Sequence, residues 1–168
     1  FGGSGGALRI NLAAAEAFRG QTPYSVVQIS GRRDFPRLSS DNPRHRILEY
    51  AEDIWHHVAA ADVVVIRGGA GSLFDVAAVG RAAIVVPYPH HRDNQQLLNA
   101  RYFTERGAAE LLPDHEVDAK TLRGRVEELL GDGERRLRMA SSMRSLATPR
   151  AAEEVAERML AAGREGTG

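Results

Sequence analysis

Apolar positions along this 168-residue chain fall into short regular runs divided by polar turns. From Leu8 to Phe18 the sequence is alanine-rich, with Leu8, Leu12 and Ala15 at the spacing of one helix face. Ser25–Ile29 is a β-branched run stopping at Ser30-Gly31, which predicts a strand feeding a loop. Arg46–Tyr50 reads as a second strand, and Glu52–Ala60 as a short helix burying Ile54, Trp55 and Val58. Asp62–Ile66 and Ala83–Val86 are almost wholly apolar, as strands covered on both faces of a parallel sheet are. A helix over Ser72–Val79 lies between them. Another runs from about Asn94 to Arg106 and stops at Gly107. Ala109–Leu112 reads as the last strand.

From Asp118 onward the period is helical, with Leu122, Val126, Leu129 and Leu130, then Leu137, Met139 and Leu146, then Val155, Met159 and Leu160. Gly131-Asp132-Gly133 and Thr148-Pro149 divide these closing helices, which occupy about residues 118–162. Recurring strand–turn–helix units predict an α/β fold with a doubly wound parallel sheet. Ligands of such sheets bind beyond the carboxyl ends of the strands. That rule singles out the loops Ser30–Asp34, Arg67–Ser72 and Pro87–Asp93.

Composition narrows the function classes. Lys+Arg and Asp+Glu are both 22, a formal net charge of zero, so a general nucleic-acid binder is disfavoured. There is no cysteine, which removes disulfide scaffolds and thiolate chemistry. No apolar run approaches the roughly 20 residues of a membrane span. Residue 1 is Phe and a glycine turn follows at once. The sequence therefore reads as a domain entered just inside its boundary, its first strand missing.

Two glycine-rich turns carry the strongest chemical signal: Gly2-Gly3-Ser4-Gly5-Gly6-Ala7 and Arg67-Gly68-Gly69-Ala70-Gly71-Ser72. Each opens a helix, where unpaired N–H groups and a partial positive charge suit an anion, and glycine lets a ligand approach the backbone. Neither matches the dinucleotide or P-loop fingerprint. A pair of such cradles, with hydroxyls from Ser4 and Ser72, suits a diphosphate. Ser72 and Asp75 have capping-box spacing, so Asp75 reads either as a cap or as a carboxylate for ribose hydroxyls. Gln95-Gln96 open a helix and read either as a solvated face or as an amide pair for sugar hydroxyls. His90-His91 lack the i, i+4 spacing of helical metal sites and read as loop surface. Arg32-Arg33 read as solvated, with an alternative role beside a diphosphate.

These motifs resemble those of the bacterial peptidoglycan N-acetylglucosaminyltransferases, glycosyltransferase family 28. Gly2–Ala7 looks like that family's G-G-S-x-G-A loop. Gln28–Gly31, Tyr50–Ile54, Ala61–Arg67, Asp93–Gln96, Asn99–Arg101 and Gly107–Ala109 follow in the same order and spacing. The resemblance spans essentially the whole chain and implies the Rossmann-like C-terminal half of a GT-B glycosyltransferase, a UDP-sugar donor-binding domain over residues 1–168. It implies UDP-GlcNAc as substrate, no cofactor and no metal. The acceptor would be a polyprenyl-diphosphate-linked MurNAc-peptide, bound through the missing N-terminal domain, which would also carry the catalytic base and the membrane contact. The location would be peripheral, on the cytoplasmic face of the cell membrane.

By position, Ser4, Gly5, Gly6, Gly69, Ala70, Gly71 and Ser72 would hold the diphosphate. Tyr50, Ala51 and Asp75 would hold the uridine, and Gln95 and Gln96 the sugar. The family usually has Glu where this chain has Asp75, and its second turn usually carries less glycine. Two other readings stay open. A UDP-sugar hydrolase or epimerase would need acid–base groups such as His90 or His91, and a donor-binding subunit of a two-subunit glycosyltransferase would need a separate partner chain.

Overall fold

The computed structural model describes residues 7–90 and 93–165. In order they form α1 (Leu8–Ala17), β1 (Val26–Ile29), β2 (His45–Leu48), α2 (Ile54–Ala60), β3 (Val63–Arg67) and α3 (Ala70–Val79). Then come β4 (Ala82–Val86), α4 (Gln95–Thr104), β5 (Ala109–Leu111), α5 (Ala119–Gly131), α6 (Gly133–Ser145) and α7 (Ala151–Glu165). Single 3₁₀ turns at Phe35–Arg37 and Asp114–Glu116 were not anticipated from the sequence.

Every strand pairing is parallel. β1 pairs with β2, and β4 lies between β3 and β5. β4 is buried along all five residues, and its period-two alternation divides the interior into two cores. Ala82, Ile84 and Val86 meet α1 and α5 through Ile10, Phe18, Leu122 and Leu129. Ala83 and Val85 meet α2, α3 and α4 through Val58, Leu73, Val76 and Phe103. Helices on both faces of a parallel sheet are the doubly wound arrangement expected from the apolar strand runs.

Four local expectations are corrected. α3 begins two residues early, with Gly69 in extended conformation as its N-cap, so Ser72 lies inside the first turn and no capping box with Asp75 forms. β2 ends at Leu48 because its register runs from Val26↔His45 to Ile29↔Leu48, which leaves Tyr50 in the following loop. α2 is only seven residues long and buries Val58 alone, leaving Trp55 52% exposed. On α1, Asn11 takes the buried place and Leu12 is exposed, because Asn11 finds hydrogen-bond partners inside.

Between β1 and β3 the sheet is interrupted by a slot of about 550 Å³. Val26–Ile29 lines one side, Val63–Val65 the other, with Phe18, Val58, Leu122 and Val126 above and below. Among the described strands β1 is ladder-paired with β2, and β3 with β4. No helix among the described residues is long and apolar enough to cross a membrane.

Candidate functional site

The second glycine turn follows directly from β3 and opens the ten-residue helix α3. Its N-cap, Gly69, contributes no side-chain cap, so the first N–H groups of α3 keep their capacity for an anion. The turn is held from the far side by α4. Gln96 accepts at Oε1 from the backbone N–H of Gly68 (3.1 Å) and of Tyr88 (2.9 Å), while Asn99 Nδ2 donates to the Gly68 carbonyl at 3.1 Å. A Cβ on Gly68 would lie 2.3 Å from the Gln96 carbonyl oxygen, so this close approach requires glycine. One side chain thus ties together the exit of β3, the exit of β4 and the start of α4.

The start of α1 is anchored by a buried polar network. Asp34, beyond the end of β1, is 1% exposed. It accepts from Asn11 Nδ2 at 2.9 Å, from Arg33 Nε at 3.0 Å and from the backbone N–H of Ala7. Burial pulls its pKa upward, but the hydrogen bonds from Arg33 and Asn11, the Arg33 charge and the Ala7 amide outweigh that and hold it below the usual carboxylate value. Asn11 also donates to the Ser30 carbonyl at 2.9 Å, and Gln28 Nε2 donates to the Asn11 carbonyl at 3.0 Å. His45 Nε2 lies 3.1 Å from Gln28 Oε1, and burial lowers the His45 pKa.

On its other side α1 meets the far end of the sheet. Asp114, beyond β5, pairs with Arg9 of α1 at 3.2 Å and with Arg67 of β3 at 2.5 Å. Asp34 and Asp114 therefore bring the carboxyl ends of both sheets to one place, the N-terminus of α1.

The positions predicted for ligand contact distribute as follows. Gly69, Ala70, Gly71 and Ser72 form the N-cap and first turn of α3. Asp75 follows one turn later, exposed and without a hydrogen bond or ion pair among the described residues. Tyr50, 67% exposed, and half-buried Ala51 sit on the loop between β2 and α2. Gln95 is exposed at the start of α4 and its N–H donates to Asp93 at 3.2 Å. The Gln96 carboxamide oxygen is already engaged, leaving Nε2 for a ligand. Ser4, Gly5, Gly6, His91 and Arg92 lie outside the described residues. His90 stands edge-on to Tyr88, ring centroids 5.3 Å apart. Arg33 serves Asp34, and Arg32 lies 3.9 Å from Glu49.

Three residues of this edge were not singled out from the sequence: Asn11, Asp114 and the side chain of Arg67. Asn11 had a readable signal, a polar residue four positions after Ala7 and three before Ala14 on a helix face otherwise apolar. Asp114 and Arg67 had none, because their pairing joins segments 47 positions apart.

Residues 1–155 match the family model described as the glycosyltransferase family 28 C-terminal domain. The chain is 99% identical over 168 residues to a Rubrobacter xylanophilus protein, covering all of this chain and 50% of that protein. That relative is named UDP-N-acetylglucosamine--N-acetylmuramyl-(pentapeptide) pyrophosphoryl-undecaprenol N-acetylglucosamine transferase. A protein of the same name from Aromatoleum aromaticum is 39% identical, covering 98% of this chain and 48% of its own length. The crystal structure of Acinetobacter baumannii MurG matches with a TM-score of 0.76 at 27% identity, over 90% of this chain and 46% of that one. CalG4, the calicheamicin glycosyltransferase, matches with a TM-score of 0.65 at 27% identity, over 86% and 36%. The chain spans about half the length of the curated relatives it matches.

Proposed function

The chain belongs to the glycosyltransferase family 28 C-terminal domain family, and from that membership we propose that it is the donor-binding half of an inverting glycosyltransferase. The donor is UDP-GlcNAc and the acceptor a polyprenyl-diphosphate-linked MurNAc-peptide, the step from lipid I to lipid II in peptidoglycan synthesis. The observation that carries this reading is the uncapped N-terminus of α3, held open at the strand ends by Gln96 and Asn99. The named relatives are transferases, which supports transfer over hydrolysis or epimerisation.

In this reading the two glycine turns grip the diphosphate from two sides. N–H groups at Ala70, Gly71 and Ser72 neutralise charge that develops on the departing UDP. Tyr50 and Ala51 frame the uracil, Asp75 accepts from the ribose hydroxyls, and Gln95 with the Gln96 Nε2 donor reads the sugar. Donor orientation is this half's contribution to rate. The general base, the acceptor groove and the membrane contact belong to the rest of the protein, which would work at the cytoplasmic membrane face.

Calorimetry on the full-length Rubrobacter relative tests the donor assignment with UDP, UDP-GlcNAc and ADP. Binding of both uridine nucleotides with ADP much weaker is the expected result. A preference for ADP, or no uridine nucleotide binding, overturns it.

A further inference from the structure

We propose that Arg33 is a phosphate-binding residue of this site: a guanidinium clamped at Nε by a buried carboxylate, with both Nη groups left to grip the oxygens of a diphosphate. The proposal rests on the UDP-sugar reading above, in which the donor and the polyprenyl acceptor both carry that group. Arg33 stands on the loop that leaves β1, at the carboxyl edge of the sheet. Its Nε donates to Asp34 Oδ1 at 3.0 Å. Nη1 and Nη2 make no hydrogen bond among the described residues, and the side chain is 67% exposed. All but one of its N–H donors are therefore open to a ligand.

The foundation under Arg33 separates it from an ordinary surface arginine. Asp34 is 1% exposed, and its carboxylate also accepts from Asn11 Nδ2 at 2.9 Å and from the Ala7 amide, so it has little freedom to move. The loop is fixed from within as well. The N–H groups of Asp34 and Phe35 both donate to the Gly31 carbonyl, at 3.2 and 3.1 Å, and the Gly31 N–H donates to the Glu49 carbonyl at 3.0 Å. An arginine already held at one nitrogen has less rotamer freedom to lose when its remaining fork takes a phosphate.

The surroundings place this fork at the ligand edge. The Asp34 hydrogen bond and charge stabilise the protonated guanidinium most, burial opposes them, and the Tyr88 phenol adds a smaller favourable contribution. Tyr88 follows β4, so the exits of β1 and β4 approach one another here. The Tyr88 N–H donates to Gln96 Oε1 at 2.9 Å, and the same oxygen holds Gly68 of the second glycine turn. Other carboxylates at the strand exits are engaged: Asp114 by Arg67 and Arg9, Glu49 near Arg32 at 3.9 Å, and Asp93 by the Gln95 amide. A phosphate arriving at Arg33 meets open donors while these carboxylates are already paired.

The test uses the full-length Rubrobacter relative with Arg33→Ala and, separately, Arg33→Lys, which keeps the charge but not the fork. Calorimetry is run with UDP, uridine and farnesyl diphosphate, alongside melting curves. Arg33→Ala is expected to bind a diphosphate about tenfold more weakly than the unsubstituted protein, with uridine affinity changed less than about twofold. A loss for UDP assigns the fork to the donor, and a loss for farnesyl diphosphate alone assigns it to the acceptor. Arg33→Lys is expected to stay at least about threefold weaker for the same ligand. Unchanged affinity for both diphosphates, or an equal loss for UDP and uridine, overturns the proposal in favour of a purely structural role, whatever the melting temperature does. Full affinity in Arg33→Lys overturns it in favour of charge alone. Failure of the donor reading is distinguishable, because the unsubstituted protein would then bind UDP no better than uridine, and the proposal would fall with it.

Discussion

Gln96 has two jobs in the site as built, and one pair of substitutions separates them. Its carboxamide oxygen is shared by the N–H groups of Gly68 and Tyr88, at 3.1 and 2.9 Å. Gly68 is buried, so Gln96→Ala deletes two hydrogen bonds and leaves one interior donor without a partner. With net values near 1 kcal/mol per bond and about 1–3 kcal/mol for an orphaned buried group, the loss should be about 2–4 kcal/mol. For a unit of this size that lowers the melting temperature by about 5–15 °C. Gln96→Glu keeps an acceptor in the same place and adds a carboxylate in the first turn of α4, where the helix dipole favours it. It should retain most of the stability. It loses the Nε2 donor, however, so the affinity ratio of UDP-GlcNAc to UDP should fall about three- to tenfold. Differential scanning calorimetry and titration of both variants of the full-length relative provide the readouts. If Gln96→Ala melts like the unsubstituted protein, the strut argument is wrong; if Gln96→Glu keeps its sugar preference, the assignment of Nε2 to the sugar is wrong.

Three further outcomes follow from the same geometry. Asp34→Ala leaves one of the two Asn11 Nδ2 hydrogens and the Ala7 amide unsatisfied in the interior, the other hydrogen staying on the Ser30 carbonyl, and should cost about 3 kcal/mol in denaturant unfolding; a loss under 1 kcal/mol would mean that water or another acceptor replaces the carboxylate. Burial lowers the His45 pKa, so as the pH falls the unfolded chain takes up this proton before the folded one does. Stability should therefore fall as the pH is lowered from 7.5 to 5.5, a slope absent from His45→Asn in parallel urea titrations. Gly80 closes α3 at φ +71, and a Cβ there would lie 2.9 Å from the Arg144 side chain, so Gly80→Ala should destabilise by at least about 1 kcal/mol.

Local pattern made much of this protein legible in its sequence. The apolar runs at Val63–Ile66 and Ala83–Val86 identify strands covered on both faces, because only such strands can omit polar residues on alternate positions. The turn at Gly68–Gly69 is readable as a helix opening because glycine there follows a strand and precedes a helical period. Family membership was likewise carried by short segments in fixed order. Tertiary structure decided what spacing along the chain cannot express. Ser72 and Asp75 have the interval of a cap, yet the extended conformation of Gly69 starts the helix earlier and frees Asp75. Gln96 looks like a solvated amide until the exits of β3 and β4 bring two N–H groups to its oxygen. Arg9, Arg67 and Asp114 come from three separated segments, and their side chains meet only when α1 crosses the end of the sheet. Short-range periodicity reports which face of an element is dry. It carries no information about which distant charges the closed chain brings within 4 Å, since that depends on how the elements pack.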